Sequence, residues 1–383
     1  MTQLLQPDEY DVLEIAGRQR LPNRVIEAFH PETFSATGYP VHVRDEQELW
    51  RYVDVMHETR LEQTVNQVLG GLTDEEFSLF DRAVRFMVDF TRAQFGKPLR
   101  CENALLRAMN IYRYIKALKP KAVLELGPGS GYLGLLLILD GIGYIACENT
   151  QAFYLLQNHL WQAAAGSKFL ELAADGRSMR EVLAGLPDGA ALHVPWWKVV
   201  DLDLGTLPGS VDVVTANHCL TEMQTNAMKY YVRFAACLLR HTGGTFMFEG
   251  WGNEINHPRG NIAKEFAETG YQLCHADESV TAYTSTLKSQ TYGSVPIPVS
   301  YPRKLRNLIR KIAGLQTLPY AFAIERFSGA NDVSFAIRNV QKSLLDGAAR
   351  GYDDIVRLLS DLYGSNGKNE EERFLSLIGQ NYL

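Results

Sequence analysis

The chain has 383 residues, 46% hydrophobic and 21% charged, a balance that excludes a disordered or collagen-like protein. With 38 basic against 44 acidic residues the net charge is -6, so no nucleic-acid partner is expected. No apolar run reaches the roughly 18 residues of a membrane span and no secretory signal is recognisable, so the expectation is a cytoplasmic protein without a membrane partner.

Residues 1–118 read as a helical cap. Leu49, Val53, Met56, Leu61, Val65 and Val68 recur near helical spacing and make one apolar stripe. Thr73 followed by Glu76 fits a capping box, in which each side chain satisfies the other residue's free backbone N–H. The helix it opens carries Phe77, Phe80, Val84, Met87 and Val88. A further helix carries Leu105, Met109, Tyr112, Ile115 and Leu118 and ends before Pro120.

From Lys121 short apolar runs alternate with amphipathic stretches. Strands are expected at 122–126, 144–147, 191–195, 211–216 and 245–248, and helices at 132–139, 152–165 and 223–239. This alternation predicts an α/β fold, a parallel sheet with helices on both faces, as the ligand-binding core over 119–280. Residues 281–383 form a third part. Residues 280–330, rich in Ser, Thr, Tyr and Pro, read as a mobile insertion over the site, 332–337 as a late strand, and the remainder as helical. The stretch 303–311 pairs Arg303, Lys304, Arg306, Arg310 and Lys311 with an apolar stripe. Its plain reading is a solvated basic face, and its sharper one a contact for an anionic or carrier-bound substrate.

The strongest chemical signal is VLELGPGSGYLG at 123–134, which follows an expected strand and opens an expected helix. Gly127, Gly129 and Gly131 permit a tight turn and close approach of a ligand to the backbone. Glu125, at the end of the strand, suits an ammonium group better than a pyrophosphate. Glu148 ends the next strand, where an acid can bind two ribose hydroxyls. The plain alternative is an ordinary strand-to-helix turn with a solvated Glu148. The five cysteines never fall in C-x-x-C spacing, and His257 and the other histidines show no metal-ligand spacing. No hydrolase, P-loop or metal signature is present.

E-x-G-x-G-x-G at 125–131 together with Glu148 resembles the cofactor site of class I S-adenosylmethionine-dependent methyltransferases. The resemblance spans roughly 100–280 and implies a Rossmann-like sheet, with an N-terminal helical cap and an insertion near the last strands. It implies that Gly127, Gly129 and Gly131 lie under the methionyl part of S-adenosylmethionine, beside Glu125, and that Glu148 binds the ribose. FYLLQNHLW, HVPWW and ANHCLTEM also resemble segments of bacterial proteins labelled sugar O-methyltransferases. For the adenine, Asp175 competes with Trp196 and Trp197, whose plain reading is core packing.

The fourth and fifth expected strands end in TANHCLTEM and FEGWGNE. Ligands of open α/β sheets bind outside the carboxyl ends of the strands, which puts Asn217, His218, Glu222, Glu249 and Trp251 on the ligand edge. His218 is the candidate base, since its ordinary pKa near 6.5 suits removal of a hydroxyl proton. Glu222, four residues on, shares its face if a helix starts there, and Glu249 is the third candidate. The plain reading makes these structural residues and a helix N-terminal charge. The resulting expectation is methyl transfer to a hydroxyl of a small molecule. An amine or carboxylate acceptor, a nicotinamide-dependent oxidoreductase and a non-catalytic methyltransferase-like subunit are the alternatives.

Overall fold

Strands that are apolar at nearly every position must be covered on both faces, because successive side chains point to opposite sides. Strand β1, Ala122–Leu126, sends Leu124 and Leu126 into one core and Val123 into the other. Strand β2, Gly143–Glu148, divides Ile145 and Cys147 from Tyr144 and Ala146 in the same way. The computed structural model describes residues 4–29, 41–45, 48–49, 61–200, 211–220, 222–239, 242–249, 259–276, 280–285 and 350–363.

The other strands are β3 Phe169–Glu171, β4 Ala191–Pro195, β5 Val213–Thr215, β6 Thr245–Glu249, β7 Tyr271–Ala276 and β8 Val280–Ser285. They form one sheet in the order β3-β4-β2-β1-β5-β6-β8-β7. The first six run parallel, and β8 lies antiparallel between β6 and β7. The chain leaves β1 for β2 on one side and later returns to β5 on the other. The crevice beyond β1 and β5 is therefore the topological switch point, where open α/β sheets bind ligands.

The helices are α1 Pro7–Arg18, α2 Asn23–Phe29, α3 Asp74–Phe95, α4 Glu102–Ala117, α5 Tyr132–Leu139, α6 Gln151–Ala165, α7 Met179–Ala184, α8 Trp196–Val200, α9 Thr225–Leu239, α10 Arg259–Thr269 and α11 Tyr352–Tyr363. Phe80 and Val84 of α3, Leu105 and Met109 of α4 and Leu135 of α5 share a core with Val123 and Tyr144. Tyr10 of α1, Phe29 of α2, Tyr231 of α9 and Phe266 of α10 share the opposite core with Leu124 and Ile145. The N-terminal residues thus supply layers on both faces of the sheet.

The expected strands and helices of the core all form, within one to three residues of their expected ends. Strands β3 and β7 and helices α7, α8 and α10 go beyond the expectation; β3, α7 and α8, of three, six and five residues, are too short for a period to declare itself. Strand β8 is a further difference. Residues 281–285, expected to open the insertion, instead complete the core sheet, with Tyr283 opposite Phe246. The rest of 286–330, the basic stretch 303–311, the late strand at 332–337 and residues 50–60 of the first stripe lie outside the described residues.

The capping box forms as read. Thr73 Oγ1 accepts from the Glu76 N–H at 3.2 Å and Glu76 Oε2 accepts from the Thr73 N–H at 3.0 Å. Glu76 does more than cap. Arg113 of α4, buried, donates to Glu76 Oε1 at 3.1 Å and Oε2 at 3.0 Å, and to the carbonyls of Leu69 at 2.7 Å and Gly71 at 3.0 Å. One guanidinium therefore ties α4, the start of α3 and the preceding turn together. Removing it strands a carboxylate and two carbonyls, so Arg113→Leu should cost about 3–5 kcal/mol. Arg113→Lys should recover only part, because an ammonium cannot span the fork. Urea unfolding checks this through the midpoint at an unchanged slope.

Candidate active site

The Gly turn after β1 is fixed from two sides. Gly127 has φ 60°, and a Cβ there would lie 3.0 Å from the Cβ of Cys219. Gly131, the residue before α5, has φ 76°, and a Cβ there would lie 3.1 Å from the Trp161 ring and 3.2 Å from Cγ of Gln157. Both positions combine a left-handed backbone with a neighbour that leaves no room, so glycine is required. Two side chains of α6 hold the turn: Trp161 Nε1 donates to the Gly131 carbonyl at 3.0 Å and Gln157 Nε2 to the Gly129 carbonyl at 2.7 Å. A Cβ at Gly129 would meet nothing within 4 Å, so the middle of the turn is open to a ligand.

Glu125 is buried at the end of β1, in register with Thr215 of β5. Tyr144 donates to its Oε2 at 2.6 Å and Asn217 Nδ2 to its Oε1 at 3.1 Å. Thr215 Oγ1 in turn donates to Asn217 Oδ1 at 3.1 Å, which orients the amide. Burial pushes the Glu125 carboxyl up to about 7, against the lowering effect of its two hydrogen bonds. A buried carboxyl short of positive charge at the switch point can receive a cation such as an ammonium.

Glu148 is also buried, at the end of β2. Its Oε1 accepts from the N–H groups of Asn149 at 2.8 Å and Thr150 at 3.0 Å and from Thr150 Oγ1 at 3.2 Å, while Oε2 accepts from Gln157 Nε2 at 3.1 Å. Burial raises its pKa and these hydrogen bonds lower it. An N-terminal segment closes over this turn: Val41 accepts from the Ala152 N–H at 3.2 Å, and the Val43 N–H donates to Gln151 Oε1 at 2.7 Å.

His218 follows β5 with φ 61°, exposed, and its N–H donates to the Glu249 carbonyl at 2.9 Å. Asn110 of α4 donates to Glu249 Oε1 at 2.9 Å. The switch-point edge thus gathers Glu125, Asn217, His218 and Glu249. Glu222 is half-buried, and burial raises its pKa. It sits in a turn, its N–H bonded to the Cys219 carbonyl at 3.0 Å, and α9 begins only at Thr225. The helical spacing that would align it with His218 is therefore absent.

The expectation that Trp196 or Trp197 stacks on the adenine is corrected. Trp196 is no open platform for an adenine: its ring is fully buried, stacked with Phe29 at 6.1 Å, and its Nε1 donates to Glu14 at 3.0 Å. Trp197 likewise packs edge-on to Tyr10. Asp175 accepts from the Arg177 guanidinium, and its carbonyl accepts from Lys198. Trp251 lies outside the described residues. Sequence reading missed Gln157, Trp161, Tyr144 and Asn110. The first two stand four apart on α6, whose buried polar residues also include Gln151, Asn158 and His159, so spacing alone did not single them out.

No protein-family model and no curated protein matches the chain. Among solved structures it is similar to magnesium protoporphyrin IX methyltransferase from Synechocystis PCC 6803 with bound SAM, at 14% identity over 56% of this chain and 99% of that one, TM-score 0.30. It is also similar to CalS10, an amino pentose methyltransferase from Micromonospora echinaspora, at 14% identity over 47% and 90%, TM-score 0.30. The SAH-bound methyltransferase PaMTH1 of Podospora anserina gives 13% identity over 63% and 95%, TM-score 0.30. At these scores the likenesses carry no argument about chemistry, which rests on the residues of the site.

The raised pKa of Glu125 sets a pH dependence. A carboxyl whose pKa rises from 4.5 to about 7 on folding gives its full contribution below the lower value and loses it as pH rises through the higher one. Glu125→Gln removes the titration. Between about pH 5 and about pH 8 the parent should lose on the order of 3 kcal/mol relative to this variant. Urea unfolding of both proteins at the two pH values checks it.

Proposed function

We propose that the chain is an S-adenosylmethionine-dependent methyltransferase that transfers a methyl group to a hydroxyl of a small molecule, a sugar or another natural product. The observation that carries this reading is the pair of buried carboxylates, Glu125 and Glu148, at the ends of adjacent strands on either side of the Gly turn. The residues fit the cofactor. Glu125, with Asn217 beside it, would hold the ammonium of the methionyl part. The open backbone at Gly129 would accommodate its chain. Glu148 would accept ribose hydroxyls. S-adenosylmethionine, when bound, supplies a methyl group on a sulfonium whose leaving sulfide is neutral.

The protein's own task is then alignment of the acceptor and removal of one proton. His218, exposed at the end of β5, is the base we propose, its imidazole taking the hydroxyl proton. Glu249, oriented by Asn110, is placed to bind the acceptor or to hold that proton in its turn. Glu222, half-buried in the turn after His218, is the reserve candidate.

Calorimetric titration with S-adenosylmethionine and with NAD is the deciding experiment. We expect binding of the first and none of the second, and the reverse would make the protein a nicotinamide-dependent one. Glu148→Ala should weaken S-adenosylmethionine about tenfold to a hundredfold, the worth of hydrogen bonds to a charged group. Its circular dichroism should stay parental. Parental affinity in this variant would remove Glu148 from the ribose site. With an acceptor in hand, His218→Asn should leave cofactor affinity unchanged and cut turnover about a hundredfold.

A further inference from the structure

We propose that Gln157 forms the second half of a receptor for a vicinal diol and thereby decides ribose against deoxyribose in the bound nucleoside. The proposal rests on the reading of Glu148 as the ribose acid. Gln157 is fully buried on α6, and its amide nitrogen spends both N–H groups, on the Gly129 carbonyl and on Glu148 Oε2. Both partners are acceptors only. The amide therefore has one possible orientation, nitrogen toward them and oxygen away. That oxygen, Oε1, is buried without a hydrogen-bond partner among the described residues.

Counting acceptor positions shows what is missing. A carboxylate offers about four lone-pair positions, two on each oxygen. On Glu148, Oε1 is filled, with the Asn149 N–H at one position and the N–H and hydroxyl of Thr150 sharing the other, and Oε2 takes one donor. One position remains, on Oε2, enough for a single hydroxyl. A vicinal diol brings two O–H donors on adjacent carbons. The second needs another acceptor, and Gln157 Oε1 belongs to the same amide whose nitrogen already touches Oε2. Burying an acceptor without a donor is costly, and the second hydroxyl relieves that cost. A phosphorylated ribose would instead set anionic oxygens against Glu148 and Gln157 Oε1, so this site rejects it. The stem of Gln157 also packs against Gly131, which joins the diol receptor to the turn under the methionyl part.

The test measures binding of adenosine, 2′-deoxyadenosine, 3′-deoxyadenosine and S-adenosylhomocysteine to the full chain by calorimetry. The parent should prefer adenosine to each deoxy form by about tenfold or more, because a missing hydroxyl leaves a buried acceptor unpaired. Gln157→Leu should bring one of the two preferences to within about twofold and leave the other near its parental value. Gln157→Met, unbranched and of the same reach, serves if the leucine variant does not fold. A variant that keeps both preferences, or loses affinity for all four ligands in the same proportion, would overturn the proposal and leave Gln157 a support of the Gly turn. A parent that binds adenosine and both deoxy forms alike overturns it without any variant. A parent that binds adenosine but not S-adenosylhomocysteine would sink the methyltransferase reading alone, while the ratios still decide Gln157. A parent that binds none of the four overturns both.

Discussion

A carboxylate taken out of water must be met by donors, and in this protein two such carboxylates stand at the ends of neighbouring strands. The elements around them are arranged to meet that demand. Tyr144 on β2 reaches back to Glu125 on β1, Asn217 reaches it from beyond β5, and the backbone after β2 folds its own N–H groups onto Glu148. Neither acid has an ion-pair partner among the described residues. The donors are neutral, so each acid when ionised keeps its negative charge in a dry place, which is the condition for binding a cation at one and hydroxyl donors at the other.

The same constraint explains why helix α6 is built as it is. Its buried face carries Gln157 and Trp161, which hold the Gly129 and Gly131 carbonyls and so keep the turn in its left-handed path. The helix also needs its own first N–H groups satisfied, and Thr150 before it provides no side-chain cap. The carbonyl of Val41 takes one of them, and Gln151 is bound both to Val43 and, through its amide nitrogen, to Asp11 of α1 at 2.7 Å. The N-terminal segment is therefore part of the site's support. It lies across the turn that carries Glu148 for a hydrogen-bonding reason.

The acceptor edge is organised differently. His218 holds a left-handed backbone without being glycine, a strained state that persists when its surroundings over-determine it. Here its N–H is fixed by the Glu249 carbonyl, and the Glu249 side chain is fixed by Asn110 from α4. Asn110, a residue of the N-terminal helices, thus reaches through to the carboxyl end of β6. Residues 250–258, which follow Glu249 in the sequence, lie outside the described part of the chain.

The sequence by itself determined five strands and three helices of the core. Strand, Gly turn, helix and acid occur in a fixed local order, and the apolar period of each element is visible within ten residues or so. The Thr73–Glu76 capping box was legible for the same reason, since both partners sit three residues apart. Whatever depends on partners far along the chain was not legible. That Glu76 also binds Arg113, that Asn110 meets Glu249 across 139 positions, and that Trp196 is sealed by Glu14 and Phe29 are outcomes of packing. Strand β8 shows the limit from the other side. Its polar, Tyr- and Thr-rich residues read as the start of a loop, and pairing with β6 on one side and β7 on the other made them a strand. Local patterns select elements, but a buried polar group takes its donor from whichever element the fold brings beside it, and no spacing in the sequence records that choice.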